Sequence, residues 1–206
     1  RFSEEEGAGR RRAERLLGML MKGTAGIDAG TRQEAMYLLG RHVFGSLTLD
    51  EQAKCRAFRL TVRRILALCV GERVDSLSFY YRAAMLGRLY RFVVEQELLH
   101  GGIAFDRPRP IAFFPGTFDP FTLSHKGIVR SIRDAGFEVL LAIDEFSWSK
   151  RTQPYRIRRE IAAMSVADEF HVHIFPEDFP VNIANPKNLK QLREALPGRP
   201  VSIVVG

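Results

Sequence analysis

Two hydrophobic rhythms divide the chain. Up to about residue 100, apolar positions recur at three- and four-residue steps, the spacing of one face of an α-helix, and capping boxes stand ahead of such runs: Ser3 with Glu6, Thr31 with Glu34 and Thr48 with Glu51. Each box satisfies N–H groups that a helix start leaves without partners, so each predicts a helix boundary. The clearest stripe is Cys55, Phe58, Val62, Ile65, Leu66 and Cys69, which predicts a helix with one apolar face and Gly71 as its left-handed end. A further helix is predicted over 76–100, with Phe79, Leu86, Tyr90, Val93 and Glu97 on one face and Gly101-Gly102 closing it. The first half therefore reads as an all-α domain of about four helices.

The rhythm changes at Asp106-Arg107-Pro108-Arg109-Pro110, where the prolines cannot continue a helix. The domain reading is a helical domain of unknown role over 1–102, a linker over 103–110 and a second domain over 111–206. There, β-rich runs at 111–114, 137–143, 171–175 and 201–205 alternate with helical patterns at 124–135, at 155–167 and after Asn185-Pro186. This alternation predicts an α/β fold: a parallel sheet with helices on both faces, joined by right-handed crossovers. Neither half carries an internal repeat or a low-complexity tract.

Composition narrows the partners without choosing one. The 206 residues carry 31 Lys plus Arg against 24 Asp plus Glu, a net charge of +7, which favours nucleotides, nucleic acid or acidic lipid. Much of the excess, at Arg10-Arg11-Arg12, Arg63-Arg64, Arg88, Arg91, Arg107 and Arg109, is spread along helices and the linker and reads chiefly as solvated faces. No run approaches the roughly 18 to 20 apolar residues of a membrane span and no signal-peptide pattern stands at the front, so a cytoplasmic protein with no membrane partner is expected. Cys55 and Cys69 lie about 21 Å apart along one helix, too far for a disulfide, and read as buried thiols in a reducing compartment. The opening Arg1 and the strand-like end at 201–206 give the expectation of a piece of a longer polypeptide.

Chemistry concentrates in one segment. Phe114-Pro115-Gly116-Thr117-Phe118-Asp119-Pro120-Phe121-Thr122-Leu123-Ser124-His125 carries a predicted strand through a glycine and proline turn into a predicted helix. Open α/β sheets bind ligands beyond the carboxyl ends of their strands. Gly116 allows backbone to come close to a ligand, and the first helical turn offers unpaired N–H groups and a positive dipole end to a phosphate. His125 falls in that turn, where an imidazole can donate to a nucleotide phosphate.

This segment resembles the signature of the nucleotidyltransferase superfamily with the (H/T)-x-G-H motif. Pro115-Gly116-Thr117-Phe118-Asp119-Pro120 matches its first block, and Thr122-Leu123-Ser124-His125 keeps the threonine-to-histidine spacing, with Ser124 where the family has glycine. The likeness is nearest to phosphopantetheine adenylyltransferases, then to nicotinate mononucleotide adenylyltransferases. Ser149-Lys150 occupies the family's basic loop after the second strand, and Arg159 stands on the following helix at a family-like interval. The resemblance covers 111–206, strictly two short blocks of it, and the family's later serine- or threonine-rich motif is not found.

The resemblance implies a Rossmann-like domain, incomplete at its C-terminus, that transfers AMP from ATP to a small phosphorylated metabolite as pyrophosphate leaves. A CTP-using cytidylyltransferase and a catalytically weak nucleotide-binding regulatory domain are its alternatives. His125 and Lys150 are implied in catalysis. Pro115, Gly116, Thr117, Phe118, Thr122 and Ser124 join His125 around the nucleotide phosphates, and Thr117, Lys150 and Arg159 face the acceptor. Asp119 and Pro120 brace the turn. Mg²⁺ is implied as an ion carried with ATP, so no protein metal site is expected.

Other candidates read as structure. His171 and His173 share a strand face, which suits two metal ligands, but spacing supplies no third and an exposed strand face is the simpler reading. Trp148 reads as a lid aromatic or as a residue packed on the domain. Phe79, Tyr80, Tyr81, Tyr90 and Phe92 read mostly as packing. The basic residues among them leave nucleic acid as a disfavoured partner, and a homo-oligomer is compatible with the sequence.

Overall fold

In the computed structural model, which describes residues 2–70, 76–144, 151–176 and 185–205, the early helices open on aspartate caps rather than on the threonine boxes. α1 (Phe2–Thr24) already includes Ser3. α2 (Ala29–Leu38) is capped by Asp28, whose Oδ2 accepts from the Thr31 N–H at 2.6 Å, so Thr31 lies inside the helix. That bond holds the Asp28 carboxyl below its usual range. α3 (Glu51–Val70) follows Asp50, whose Oδ1 accepts from the Ala53 N–H at 2.7 Å, while Thr48 donates its own N–H to Ser46 Oγ. A carboxylate at the positive end of the helix dipole is the stronger acceptor, which explains the shift from both threonines.

The chain divides into two units, Arg1–Asp106 and Arg107–Gly206. In the first, α2 runs straight into a π-helical turn, Leu39–Phe44, followed by α3 and α4 (Ser76–His100). A Cβ on Gly40 would stand 3.2 Å from Met85 Cα, so glycine lets this turn approach α4 without α4 giving way. The buried face of α4 is Met85, Leu89, Phe92 and Gln96, not the predicted one, and Phe79, Tyr80 and Tyr90 are exposed rather than packed. α4 is apolar around much of its circumference, so its periodicity has no unique phase. The phase is set by Phe92, which packs on Phe44 and Phe58 at ring distances of 5.8 and 5.9 Å. On α3, Phe58 and Ile65 are buried with Thr61, whereas Leu66 is exposed. Cys55 and Cys69 are free and only half-buried, which corrects the fully buried reading; partial burial pushes both thiols up. Cys55 Sγ donates to Gln96 Oε1 at 3.2 Å, and Gln96 Nε2 donates to Glu51. Gly71 lies outside the described residues.

The second unit is mixed α/β: β1 (Ile111–Gly116), α5 (Leu123–Asp134), β2 (Glu138–Ile143), α6 (Tyr155–Ser165), β3 (Val172–Ile174), α7 (Pro186–Ala195) and β4 (Val201–Ile203). β3 and β4 are shorter than predicted. α7 opens as expected at Asn185, whose Oδ1 accepts from the Lys187 N–H at 3.0 Å, with Pro186 in the first turn. The four strands form a parallel sheet in the order β3-β2-β1-β4. Register aligns Ala112 with Val139 and Val172, and Phe114 with Leu141 and Ile174. This face forms one core with Val129 of α5 and with Ala162 and Val166 beyond it. Ile111 and Phe113, on the opposite face, are 1% and 0% exposed, so both faces are covered. β2 and β3 lie successively on one side of β1 and β4 on the other, so the winding reverses at β1. No helix among the described residues is long and apolar enough to cross a membrane.

His171 and His173 do not share a strand face. His171 precedes β3 with φ of 62°, which breaks the alternation, and His173 Nε2 lies 2.8 Å from Glu138 Oε1. Among the described residues, no group of three His, Cys, Asp or Glu side chains could hold a metal. His171 is half-buried, and its pKa is pushed below 6.5 by desolvation, then by Arg109, with His173 and Arg133 adding and Glu138 opposing. The unfolded chain therefore takes up this proton more readily, so the stabilisation is complete above the ordinary histidine value and is lost as pH falls through the lowered one. Melting temperature is expected to fall as pH drops from about 7.5 to 5, and His171→Asn, which tolerates left-handed backbone, to flatten part of that fall. An identical pH profile in the variant would contradict this.

Candidate functional site

The glycine and proline turn begins at the carboxyl end of β1, where the winding reverses, the place at which open α/β sheets bind their ligands. The ladder runs one step past β2: the Asp144 N–H donates to the Gly116 carbonyl at 3.0 Å. The chain then turns through Phe118, at φ of 45°, and a cis Asp119–Pro120 peptide. A Cβ on Gly116 would stand 2.9 Å from Phe118 Cζ. A side chain here would force the Phe118 ring to shift. Phe118 itself is buried, with its ring 5.2 Å from Phe114 and 5.4 Å from Phe121, so its side chain belongs to the core rather than to a nucleotide site.

α5 starts immediately after this nest. Thr122 is its N-cap and His125 its third residue; His125 Nδ1 accepts from the Thr122 N–H at 3.0 Å and lies 2.9 Å from Thr122 Oγ1. The half-buried imidazole also stands edge-on to Phe118 at 5.2 Å and beside Phe121 at 5.4 Å. A nitrogen that accepts from a backbone N–H carries no proton, so the neutral ring holds its proton on Nε2. Among the described residues no hydrogen bond engages Nε2. Thr122 serves as a cap, and Leu123 and Ser124 are exposed in the first turn.

Two contacts hold the turn against the segment entering α6. Asp119 Oδ2 accepts from the Gln153 N–H at 2.9 Å. Arg158, 1% exposed, donates Nη1 to the Thr117 carbonyl, Nη2 to the Asp144 carbonyl at 2.9 Å and Nε to the Gln153 carbonyl at 2.9 Å. Its guanidinium thus joins the motif turn, the end of β2 and the start of α6. The resemblance gives Arg158 no role. The signal that could reveal it is its place on the apolar stripe of Arg158, Ala162 and Val166, where a solvated arginine does not belong.

Arg159 is not brought to the turn. Its Nη1 donates to the Phe175 carbonyl at 2.8 Å, beyond the end of β3, and lies 3.4 Å from the Tyr155 hydroxyl. Lys150, with Trp148 and Ser149, lies outside the described residues. Asp144 is half-buried at the end of β2, and desolvation raises its pKa against the opposing charge of Arg158. No protein-family model matches the chain, and no curated protein is detectably similar to it.

Arg158→Ala leaves carbonyls from three segments without their shared donor. A stability loss of about 3 kcal/mol is expected in urea unfolding, with partial recovery in Arg158→Lys, whose ammonium lacks the fork geometry. Gly116→Ala is expected to cost about 1 to 3 kcal/mol by the same measurement, since the Phe118 ring must shift within a packed nest.

Proposed function

We propose that the second unit is a Rossmann-like nucleotidyltransferase domain that transfers AMP from ATP to a small phosphorylated metabolite. The observation that carries this reading is His125: a donor edge fixed by the Thr122 N–H at the start of α5, just past the carboxyl end of the strand where the winding reverses. The strand order is that of the first four strands of a doubly wound nucleotide-binding sheet, which supports it.

In this reading an acceptor phosphate oxygen attacks the α-phosphorus of ATP in line. The bond from that phosphorus to the oxygen bridging to the β-phosphate breaks, and pyrophosphate leaves with no covalent enzyme intermediate. His125 Nε2–H donates to an α-phosphate oxygen as its charge grows, and the first-turn N–H groups of α5 act in the same direction. Thr122, Phe118 and Phe121 orient the ring, while Arg158 and Asp119 fix the turn. Lys150 supplies a further positive charge in this proposal. Mg²⁺ would arrive with ATP, held by its phosphates and waters.

A second reading, a regulatory domain that binds nucleotide without turnover, is favoured by Ser124, which adds a side chain in the first turn where the resembled family has glycine. Pyrophosphate release by the full chain with Mg-ATP or Mg-CTP and a panel of phosphorylated acceptors separates the two. Release with ATP is expected. His125→Gln keeps an acceptor for the Thr122 N–H at the capping-box position but removes the ring donor, and is expected to lower kcat about 100-fold. Nucleotide binding with no release on any acceptor favours the regulatory domain, and absence of nucleotide binding refutes both.

A further inference from the structure

Carboxylates of the second unit have partners, with one exception among the described residues. Asp119 accepts from the Gln153 N–H, Asp134 pairs with Arg133, and Glu138 with His173 and Arg199. Glu160 pairs with Arg156, Asp168 with Lys126, Glu169 with Arg130 and Arg133, and Glu194 with Lys190. Among the described residues Asp144 has no hydrogen bond or ion pair at its carboxylate, and Arg158 acts on it through its charge.

The main chain of Asp144, by contrast, is held on both sides. Its N–H donates to the Gly116 carbonyl at 3.0 Å, and its carbonyl accepts from Arg158 Nη2 at 2.9 Å. The carboxylate is thus carried by fixed backbone at the carboxyl end of β2, one strand from the turn that leads to His125. A half-buried carboxylate that the fold leaves unpaired is costly unless something else donates to it. Desolvation acts in that sense here, raising its pKa.

We infer that Asp144 reads the acceptor: its carboxylate accepts a hydrogen bond from a hydroxyl or ammonium group carried by the phosphorylated metabolite. The inference rests on the nucleotidyltransferase reading and names its substrate class, a phosphate monoester of a polyol or amino alcohol rather than a plain alkyl phosphate. The charge suits an ammonium, and the acceptor oxygens suit either group.

Three phosphates of equal length separate these possibilities: 3-hydroxypropyl, 3-aminopropyl and propyl phosphate. Each is titrated by calorimetry into the full chain loaded with Mg²⁺ and α,β-methylene-ATP. The hydroxyl and amino compounds are expected to bind about tenfold or more tightly than propyl phosphate. Asp144→Ala, whose backbone bonds do not need the side chain, is expected to fold and to abolish both preferences. Asp144→Asn keeps an acceptor oxygen without the charge, and is expected to retain the hydroxyl preference and lose the amino one. Equal binding of the three by the wild-type chain, or a preference that survives in Asp144→Ala, overturns the inference. Binding of the ATP analogue but of none of the phosphates overturns it while leaving the nucleotide site standing. Failure to bind the analogue removes the reading beneath it as well.

Discussion

A guanidinium withdrawn from water must find acceptors for its N–H groups, and Arg158 finds three in main-chain carbonyls where regular pairing stops. Thr117 follows β1, Asp144 follows β2 and Gln153 precedes α6. Thr117 and Asp144, both half-buried, gain a donor for their carbonyls in return. One side chain thus takes the place of the ladder that the strands no longer supply. Asp119 adds a second tie between the same turn and Gln153, so the loop entering α6 is held twice against the end of β1. A lysine cannot span these three directions from one planar group, which is why the position demands arginine in particular.

What this clamp steadies is an aromatic nest. Phe118 occupies a left-handed conformation that a bulky side chain adopts only when its surroundings impose it, and its ring fills the space above Gly116. That ring, with Phe121, forms the wall on which the His125 imidazole rests. The Thr122 N–H then fixes the ring's rotation and tautomer together. Contacts made for packing and capping leave the opposite edge of the imidazole with a defined direction and a proton to donate. Such positioning matters for chemistry in which little covalent work falls to the protein and most of the effect comes from oriented donors.

The sequence made some of this legible and hid the rest for identifiable reasons. Alternation of β-rich and helical runs located each described strand and helix of the second unit, because burial on both sheet faces leaves continuous apolar runs such as 138–143. The cap at Asn185 was legible because a side-chain acceptor followed by proline has one economical reading. In the first unit the helices were legible but their faces were not. α4 carries aromatic and aliphatic residues on most sides, and its phase depends on Phe44 and Phe58, distant in sequence. The caps at Asp28 and Asp50 are not legible because a two-ended threonine box is the more specific pattern, whereas a single carboxylate nearer the helix start suffices. A glycine in a turn suggests space for a ligand, and nothing in the local sequence shows that the Phe118 ring also stands against Gly116.

The two ends of the sheet treat charge differently, and the contrast bears on function. At the amino end, Glu138 is 4% exposed, sits 2.8 Å from His173 Nε2 and accepts from Arg199 Nη2 at 2.6 Å, while Arg199 Nε donates to the Arg109 carbonyl. That network ties β2, β3, the approach to β4 and the entry to β1 together, which is structural work. At the carboxyl end, backbone groups are satisfied with equal care, but the Asp144 carboxylate and the His125 Nε2–H have no partner among the described residues. Folding stability alone would favour pairing or removing such groups, as the other carboxylates of this unit are paired. The acceptor follows β2 and the donor follows β1, each on backbone that Arg158 or Thr122 holds, and at this end of the sheet the fold itself does not satisfy them among the described residues.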